Sequence, residues 1–269
     1  MTLRAVILAR GLGTRMRRAE GAPALAGEQA SAADAGLKAM MPMGRPFIDY
    51  SLSALADAGI EEACLVIGPE HGGVRAHFEA GGARRVRVNF AVQERPLGTA
   101  DAVLAAEAFI AGGRFLVLNG DNYYPVPVLE RMASLDEPAV AAFSRSALLA
   151  GGRMGPERIA RFALLDIGAD GYLRRIVEKP DVAAVAAFGP DPRVSMNCWL
   201  LDARIFDACR RLAPSPRGEL ELPLAVQAAI DAGAMRVRAA MVESAVLDLS
   251  SRDDVSIVTA ALAGVVPRP

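Results

Sequence analysis

The sequence has few of the residues that build metal clusters and disulfide frameworks. It contains three cysteines and two histidines among 269 residues. The cysteines show no Cys-x-x-Cys spacing, and Cys64 and Cys198 lie within apolar runs, where a free thiol packs as a small hydrophobic group. His71 and His77 match no zinc motif, and both are expected at the surface. These absences exclude a disulfide scaffold and a structural zinc site, and they indicate a reducing compartment.

An excess of charge of one sign is also lacking, since the formal net charge is −1. This balance argues against nucleic acid or a membrane surface as the partner. No apolar run approaches the roughly 18 residues that a spanning helix needs. The first apolar run is interrupted by Arg4 and Arg10, unlike the core of a signal peptide. We therefore expect a cytoplasmic protein, whose oligomeric state is left open, a homo-oligomer included.

The chain does have a high apolar content, 52%, and enough length for a large buried core. Its first half alternates short β-rich runs with helical stretches, which predicts a mainly parallel sheet covered by helices on both faces. The predicted strands are 5–8, 63–67, 86–92, 115–118 and 139–143, and the helices are 46–58, 99–111 and 126–134. The second half is predicted to hold a hairpin (161–166 with 173–177), a strand (194–201) and helices over 202–212, 221–232 and 251–264.

A glycine-rich turn follows the first predicted strand. Residues 6–15 read V-I-L-A-R-G-L-G-T-R. Gly11 and Gly13 let the backbone approach an anion with its N–H groups, and Arg15 adds a forked cationic donor that suits phosphate oxygens. Met16 takes the place of the third glycine of a dinucleotide fingerprint, and no Walker A Gly-Lys-Ser/Thr follows. The turn is therefore predicted to bind an anion without being a dinucleotide fingerprint or a Walker A loop. The alternative is an ordinary strand-to-helix turn.

Five further segments carry polar groups along the chain. They are K-A-M-M-P-M-G-R-P from Lys38, Q-E-R-P-L-G-T-A-D-A from Gln93, L-V-L-N-G-D-N ending in Asp121 and Asn122, V-E-K-P with Glu178 and Lys179, and V-L-D-L-S-S-R-D-D with Asp248. The segment ending in Asp121, like the glycine turn, follows directly on a predicted strand. Because ligands bind at the carboxyl ends of parallel strands, we expect the two segments to converge at one edge of the sheet.

Together with the glycine turn, these segments resemble, in order, the motifs of the sugar-1-phosphate nucleotidyltransferases. The resemblance implies an α/β fold with a Rossmann-like, mainly parallel twisted sheet flanked by helices, of the nucleotide-diphospho-sugar transferase (GT-A-like) type, with no β-helix domain. It implies one domain over residues 1–269, with a nucleotide-binding part over about 1–145 and a sugar-phosphate-binding part over about 146–269. Arg10 departs from the family, which has Ala or Gly there, and so does Asn197, which replaces a glycine.

The resembled reaction joins an NTP and a sugar-1-phosphate, the partners implied here, into an NDP-sugar and pyrophosphate with Mg²⁺ as cofactor. By resemblance, the metal ligands are Asp121 and Asp248, and the catalytic cations are Arg15, Lys38 and Lys179. The nucleotide-binding residues are Leu8, Ala9, Gly11, Gly13, Thr14, Gln93, Gly98 and Thr99. The sugar-binding residues are Asn122, Glu178, Ser195 and Asn197. The amide of Gln93, with backbone groups of Gly98, suits the edge of uracil or thymine, which predicts dTTP or UTP without deciding between them.

Two alternatives stay open for the function. The same chemistry could act on a phosphate acceptor that is not a sugar, or the fold could serve as a non-catalytic sensor of nucleotide sugars. Arg10 and a long insertion over about residues 19–36 favour the sensor. The retained residues favour the enzyme, and they are Asp121, Asp248, Lys38 and Lys179. The insertion is predicted to bury little apolar surface and to be mobile, either as a lid over the nucleotide or as an idle loop.

Overall fold

A computed structural model describes residues 3–25, 27–151, 154–178 and 180–269. The strands are β1 (Arg4–Leu8), β2 (Glu62–Ile67), β3 (Arg87–Val92), β4 (Arg114–Asn119), β5 (Asn122–Tyr123), β6 (Ala139–Ser144), β7 (Leu164–Ile167), β8 (Leu173–Val177), β9 (Arg193–Asp202), β10 (Arg238–Val242) and β11 (Leu247–Asp248). The helices are α1 (Thr14–Arg17), α2 (Gly27–Ala35), α3 (Phe47–Asp57), α4 (Gly72–Glu79), α5 (Thr99–Ala105), α6 (Glu107–Ile110), α7 (Val126–Ala133), α8 (Arg145–Ala150), α9 (Pro156–Ile159), α10 (Val182–Ala187), α11 (Arg204–Arg211), α12 (Leu222–Asp231) and α13 (Arg252–Leu262). In the described ranges, no helix is both long and apolar enough to cross a membrane.

The main sheet has the strand order β10-β6-β9-β4-β1-β2-β3, and the hairpin β7–β8 joins it through β9. Strand β1 pairs in parallel with β2 and β4, β2 pairs in parallel with β3, and β6 with β10. Strand β9 runs antiparallel to both β4 and β6, so the other strands on this path share one direction. The predicted mainly parallel sheet flanked by helices is confirmed.

The chain adds strands to one side of β1 first and then changes to the other side, so that β2 and β3 lie on one side and β4 on the other. The loops that follow these strands are tied together by backbone hydrogen bonds. Gly120 N donates to Leu8 O at 2.9 Å, and Ala9 N donates to Val66 O at 2.9 Å. In an open α/β sheet, such a change of side leaves a crevice at the carboxyl ends of the strands, and this crevice is where ligands bind.

Two apolar layers bury both faces of the sheet. Ile7 of β1 packs in one layer, and Val6, on the opposite face of the same strand, packs in the other. Successive side chains of a strand point to opposite faces, so a strand covered on both sides reads as a continuous apolar run. This is why the short runs in the first half of the sequence predicted the central strands well.

A short antiparallel ribbon, β5 with β11, lies outside the main sheet. In it Asn122 faces Asp248, and Leu249 N donates to Asp121 O at 2.8 Å. The ribbon therefore brings Asp248, which precedes the last helix, next to Asp121, which follows β4.

Two predictions need correction. The insertion is not a loop throughout, because its second half forms α2, in which Ala33 is fully buried and packs in a cluster with Met16 and Phe47. Small residues fit there because α2 lies close to its neighbours. His71 is not a surface residue: it is buried before α4, and its Nδ1 accepts from Gly68 N at 3.3 Å.

Candidate active site

A cavity of about 340 Å³ opens at the carboxyl ends of the central strands. It is lined by the glycine turn, by the loops that follow β3 and β4, and by Lys38. All of the predicted nucleotide-binding residues line it, together with two of the predicted catalytic cations and one predicted metal ligand: Leu8, Ala9, Gly11, Gly13, Thr14, Gln93, Gly98 and Thr99, with Arg15, Lys38 and Asp121. The structure thus brings together segments that are widely separated in the sequence.

The glycine turn leaves β1 and enters α1 through Gly13. This residue has φ 60° and ψ 26°, the left-handed conformation that glycine adopts without steric cost. Gly120, at the end of β4, approaches so closely that a Cβ there would lie 2.8 Å from Leu8 O. The absence of side chains at these positions lets the two loops meet and keeps the floor of the cavity open to a ligand.

Lys38 and Asp121 face each other at one end of the cavity. Lys38 Nζ donates to Asp121 Oδ2 at 2.5 Å. Both side chains are largely covered, so the pair is less screened than a surface ion pair. A carboxylate and an ammonium in contact can each turn to a ligand of the opposite charge, the carboxylate to a metal ion and the ammonium to a phosphate.

Asp248 lies beside Asp121 and is almost fully buried. Burial, and after it the neighbouring charge of Asp121, raises the pKa of the Asp248 carboxyl above its ordinary value. Ser250 Oγ donates to Asp248 Oδ1 at 2.8 Å, and Arg158 Nη2 donates to Asp248 Oδ2 at 2.6 Å. The second carboxylate is therefore held in place by a hydroxyl and a guanidinium.

The two carboxylates suit a hard divalent cation. Mg²⁺ is usually bound by one or two carboxylates, with substrate phosphates and water supplying its other oxygen ligands. Within the ranges that the structure describes, no three His, Cys, Asp or Glu side chains converge into a closed metal cage. A site of two carboxylates at the edge of an open cavity fits a metal that is shared with a phosphate substrate.

Gln93 is buried and lines the same cavity. Its Nε2 donates to Gly98 O at 2.9 Å and to Asp101 Oδ2 at 2.7 Å. Both of its N–H donors are thus used within the protein, and the amide oxygen is the group it can offer to a ligand. The carbonyl of Gly98 accepts one hydrogen bond from Gln93, and the contact of Gly98 backbone groups with the base stays a prediction.

The predicted sugar-binding residues lie apart from this cavity. In the described part of the chain, none of Asn122, Glu178, Ser195 and Asn197 lines it. Asn122 is buried in the ribbon, and Ser195 Oγ accepts from Asn197 N at 3.3 Å within β9. Asn197 has φ 55°, a left-handed conformation that Asn tolerates better than most residues, which explains how it can replace a glycine. Lys179 lies outside the described residues.

Arg158 is a site residue that the sequence motifs did not predict. This residue of the short helix α9 donates to Asp248 and to Asp254, the residue that closes the capping box of α13. Its contacts connect segments that are distant in sequence, so no local pattern could have predicted them. Glu219, in the loop before α12, also lines the cavity and was not predicted.

Comparisons with known proteins agree with this geometry. Residues 32–256 match the sequence profile of the nucleotidyl transferase family. A glucose-1-phosphate thymidylyltransferase of Actinoplanes sp. is 31% identical over 242 residues, covering 87% of this chain and 70% of that protein. The low-salt glycan biosynthesis nucleotidyltransferase Agl11 of Haloferax volcanii is 26% identical over 235 residues. That match covers 86% of this chain and 58% of the Haloferax protein, so the chain spans little more than half of that relative.

Solved structures share the fold along the whole chain. A UDP-glucose pyrophosphorylase complexed with UDP-glucose has a TM-score of 0.74 at 19% identity, covering 98% of this chain and 99% of that one. A putative glucose-1-phosphate thymidylyltransferase from Bacillus anthracis has a TM-score of 0.73 at 21% identity, covering 98% and 97%. The profile match and the Actinoplanes relative confirm the family resemblance of the sequence motifs. The chain belongs to the nucleotidyl transferase family.

Proposed function

We propose that this chain transfers a nucleotidyl group from an NTP to a sugar-1-phosphate, and so forms an NDP-sugar and pyrophosphate with the help of Mg²⁺. The observation that carries the proposal is the meeting of the glycine turn, Lys38 and Asp121 around one cavity, with Asp248 beside Asp121. The two relatives named above bear the names of nucleotidyltransferases, and one acts on glucose 1-phosphate by name.

The chemistry needs position and charge rather than a nucleophilic side chain. An oxygen of the sugar phosphate attacks the α-phosphorus of the NTP, the bond from the α-phosphorus to the bridging oxygen breaks, and pyrophosphate leaves with that oxygen in line with the attack. The glycine turn and Arg15 bind the triphosphate, and Lys38 neutralises negative charge on the phosphates that depart. By resemblance, Lys179 orients the attacking phosphate and Glu178 accepts hydrogen bonds from the sugar.

The carboxylates of Asp121 and Asp248 would hold Mg²⁺. When bound, the ion supplies charge neutralisation at the phosphate oxygens. Lys38 holds Asp121 in position, Arg158 holds Asp248, and Ser250 orients one oxygen of Asp248. Arg158 thus acts on the reaction only through Asp248, as a positioning residue.

The base is proposed to be a pyrimidine, as in dTTP or UTP. Gln93 offers its amide oxygen, and uracil and thymine carry an N3–H that can donate to it. The remaining sugar-binding residues, Asn122, Ser195 and Asn197, stay predictions.

Pyrophosphate release in a matrix of NTPs against phosphate acceptors tests the proposal. The expected result is release with a pyrimidine NTP and a sugar-1-phosphate, and only in the presence of a divalent cation. Release with a phosphate that is not on a sugar would identify the alternative acceptor. Binding of an NTP without pyrophosphate release for any acceptor would contradict the proposal and favour a sensor.

A further inference from the structure

Arg10 is the residue at which the glycine turn departs from the family pattern, and it is buried in the cavity wall. Its side chain is 7% exposed and lines the cavity. It extends over the loop after β2, because a Cβ built on Gly68 would lie 2.4 Å from Arg10 Nε. A long cationic side chain therefore occupies space that a small residue would leave free.

The guanidinium of Arg10 is poorly partnered within the protein. Its Nη2 faces both carboxylate oxygens of Glu70 at 3.3 and 3.4 Å, which is long for a charge-assisted hydrogen bond. In the described part of the chain, its Nε and Nη1 are buried without a hydrogen-bond partner. Buried donors of this kind are rare in proteins, and at the wall of a cavity they are available to an acceptor of a ligand.

The surroundings allow the guanidinium to change partners. Glu70 is half exposed, so water can solvate its carboxylate when Arg10 moves. His71 is buried beside it, and burial lowers the pKa of this imidazole, so it does not compete as a cation for Glu70 at neutral pH. A rotation within the flexible side chain of Arg10 exchanges the long contact with Glu70 for an acceptor in the cavity.

The backbone of Gln93 is bonded to the end of β2, directly before the loop over which this guanidinium lies. Gln93 N donates to Ile67 O at 2.9 Å, and Ile67 directly precedes Gly68, over which the Arg10 head group lies. Both side chains line the same cavity. Gln93 presents an acceptor, because its N–H groups are engaged by Gly98 and Asp101. The wall of one cavity therefore presents both an acceptor, from Gln93, and donors, from Arg10.

We propose that Arg10 is a base-specificity residue that donates to the carbonyl of a 4-oxopyrimidine while Gln93 accepts from the adjacent N3–H. The inference rests on the proposed function and narrows its substrate to uridine and thymidine triphosphates as against cytidine triphosphate. Cytosine presents the opposite pattern, an acceptor at N3 and an amino donor at C4. Bound cytosine would leave the donors of Arg10 without an acceptor and would place its own amino group against them. We therefore expect the site to reject cytidine triphosphate.

The test compares UTP with CTP, two nucleotides that differ only at this edge. Dissociation constants are measured by calorimetry without acceptor phosphate for the wild type, Arg10→Met, Arg10→Lys and the exposed control Arg18→Met. The wild type and the control should favour UTP by at least about tenfold, whereas Arg10→Met should lower this ratio several-fold through weaker binding of UTP, to the preference that Gln93 gives on its own. Arg10→Lys keeps a cationic donor and should retain part of the preference.

The same contact can be tested in the unaltered chain with 4-thio-UTP, whose sulfur is a weaker acceptor than oxygen. The wild type should bind it less tightly than UTP, and Arg10→Met should bind the two equally. The inference is overturned if the wild type binds UTP and CTP alike, or if Arg10→Met keeps the wild-type ratio or loses both nucleotides equally. Because binding is measured without turnover, these results are independent of the pyrophosphate assay that tests the proposed function.

Discussion

Gly13 and Gly36 meet backbone to backbone at the rim of the cavity. A Cβ built on Gly13 would lie 2.5 Å from Gly36 O, and one built on Gly36 would lie 2.8 Å from Leu12 O. Gly36 ends the insertion, and Gly13 belongs to the glycine turn. The insertion is therefore packed against the turn proposed to bind the triphosphate, at a distance that only two glycines allow.

This contact predicts that alanine lowers the free energy of unfolding by different amounts at two glycines of the insertion. Gly36 and Gly21 both have positive φ, 69° and 71°, but a Cβ on Gly21 meets nothing within 4 Å. Gly21→Ala should cost only the roughly 1–2 kcal/mol of an unfavourable backbone conformation. Gly36→Ala should cost more and should also raise the KM for the NTP, because the glycine turn must shift. Denaturant unfolding and steady-state kinetics measure both effects, and equal costs would contradict the close contact.

Removal of either proposed metal ligand should abolish most activity. Asp121→Asn and Asp248→Asn each replace a hard anionic ligand by a neutral amide, and we expect kcat to fall on the order of a hundredfold or more. Asp253→Asn, an exposed position at the start of α13, is the matched control and should keep wild-type activity. Pyrophosphate release is measured over a range of Mg²⁺ concentrations. If a variant keeps near-normal rates at limiting Mg²⁺, the altered residue is not a metal ligand.

Arg158 is expected to stabilise the metal-free protein. Arg158→Gln leaves Asp248 and Asp254 buried without their cation, which should lower the free energy of unfolding by about 3 kcal/mol. Mg²⁺ would replace part of the missing charge, so the ion should raise the Tm of Arg158→Gln more than that of the wild type. Arg161→Gln, an exposed arginine nearby, should behave as the wild type. Equal Mg²⁺ shifts in all three proteins would argue that Arg158 and the ion do not share Asp248.

His71 should make the protein sensitive to mild acid. Burial lowers its pKa in the folded state below the value of about 6.5 that it has in the unfolded chain. Between these two pKa values the unfolded chain binds more protons, so stability rises with pH and is lost as the pH falls below about 6.5. His71→Gln should lose this part of the pH dependence. Urea unfolding at several pH values between neutral and mildly acidic measures it, and parallel curves for both proteins would refute the prediction.

The sequence predicted the central strands and the cavity residues because these depend on local patterns. A β-branched run buried on both faces, followed by a glycine turn, predicted β1 and its loop from residues 6–15 alone. The nucleotide-binding residues then converged because parallel strands end at the same edge of the sheet.

The rest depends on contacts that no local pattern encodes. The insertion shows no amphipathic pattern over α2, although its alanines favour a helix, and tertiary contacts hold it, among them the ion pair of Asp34 with Arg252. The pairing of Arg158 with Asp248 joins distant segments in the same way. The hydrogen bond from Gln93 to Gly98 could not be read either, because the orientation of an amide depends on its neighbours in space.

The ribbon of β5 and β11 bears on how the active site forms during folding. Each of its strands is two residues long, and the two strands come from distant parts of the chain. Closing so large a loop for so few hydrogen bonds is unfavourable until the main sheet is in place. We expect a refolding chain to regain the glycine turn first and the paired carboxylates later, so that affinity for phosphate and affinity for the cation return as separate kinetic phases.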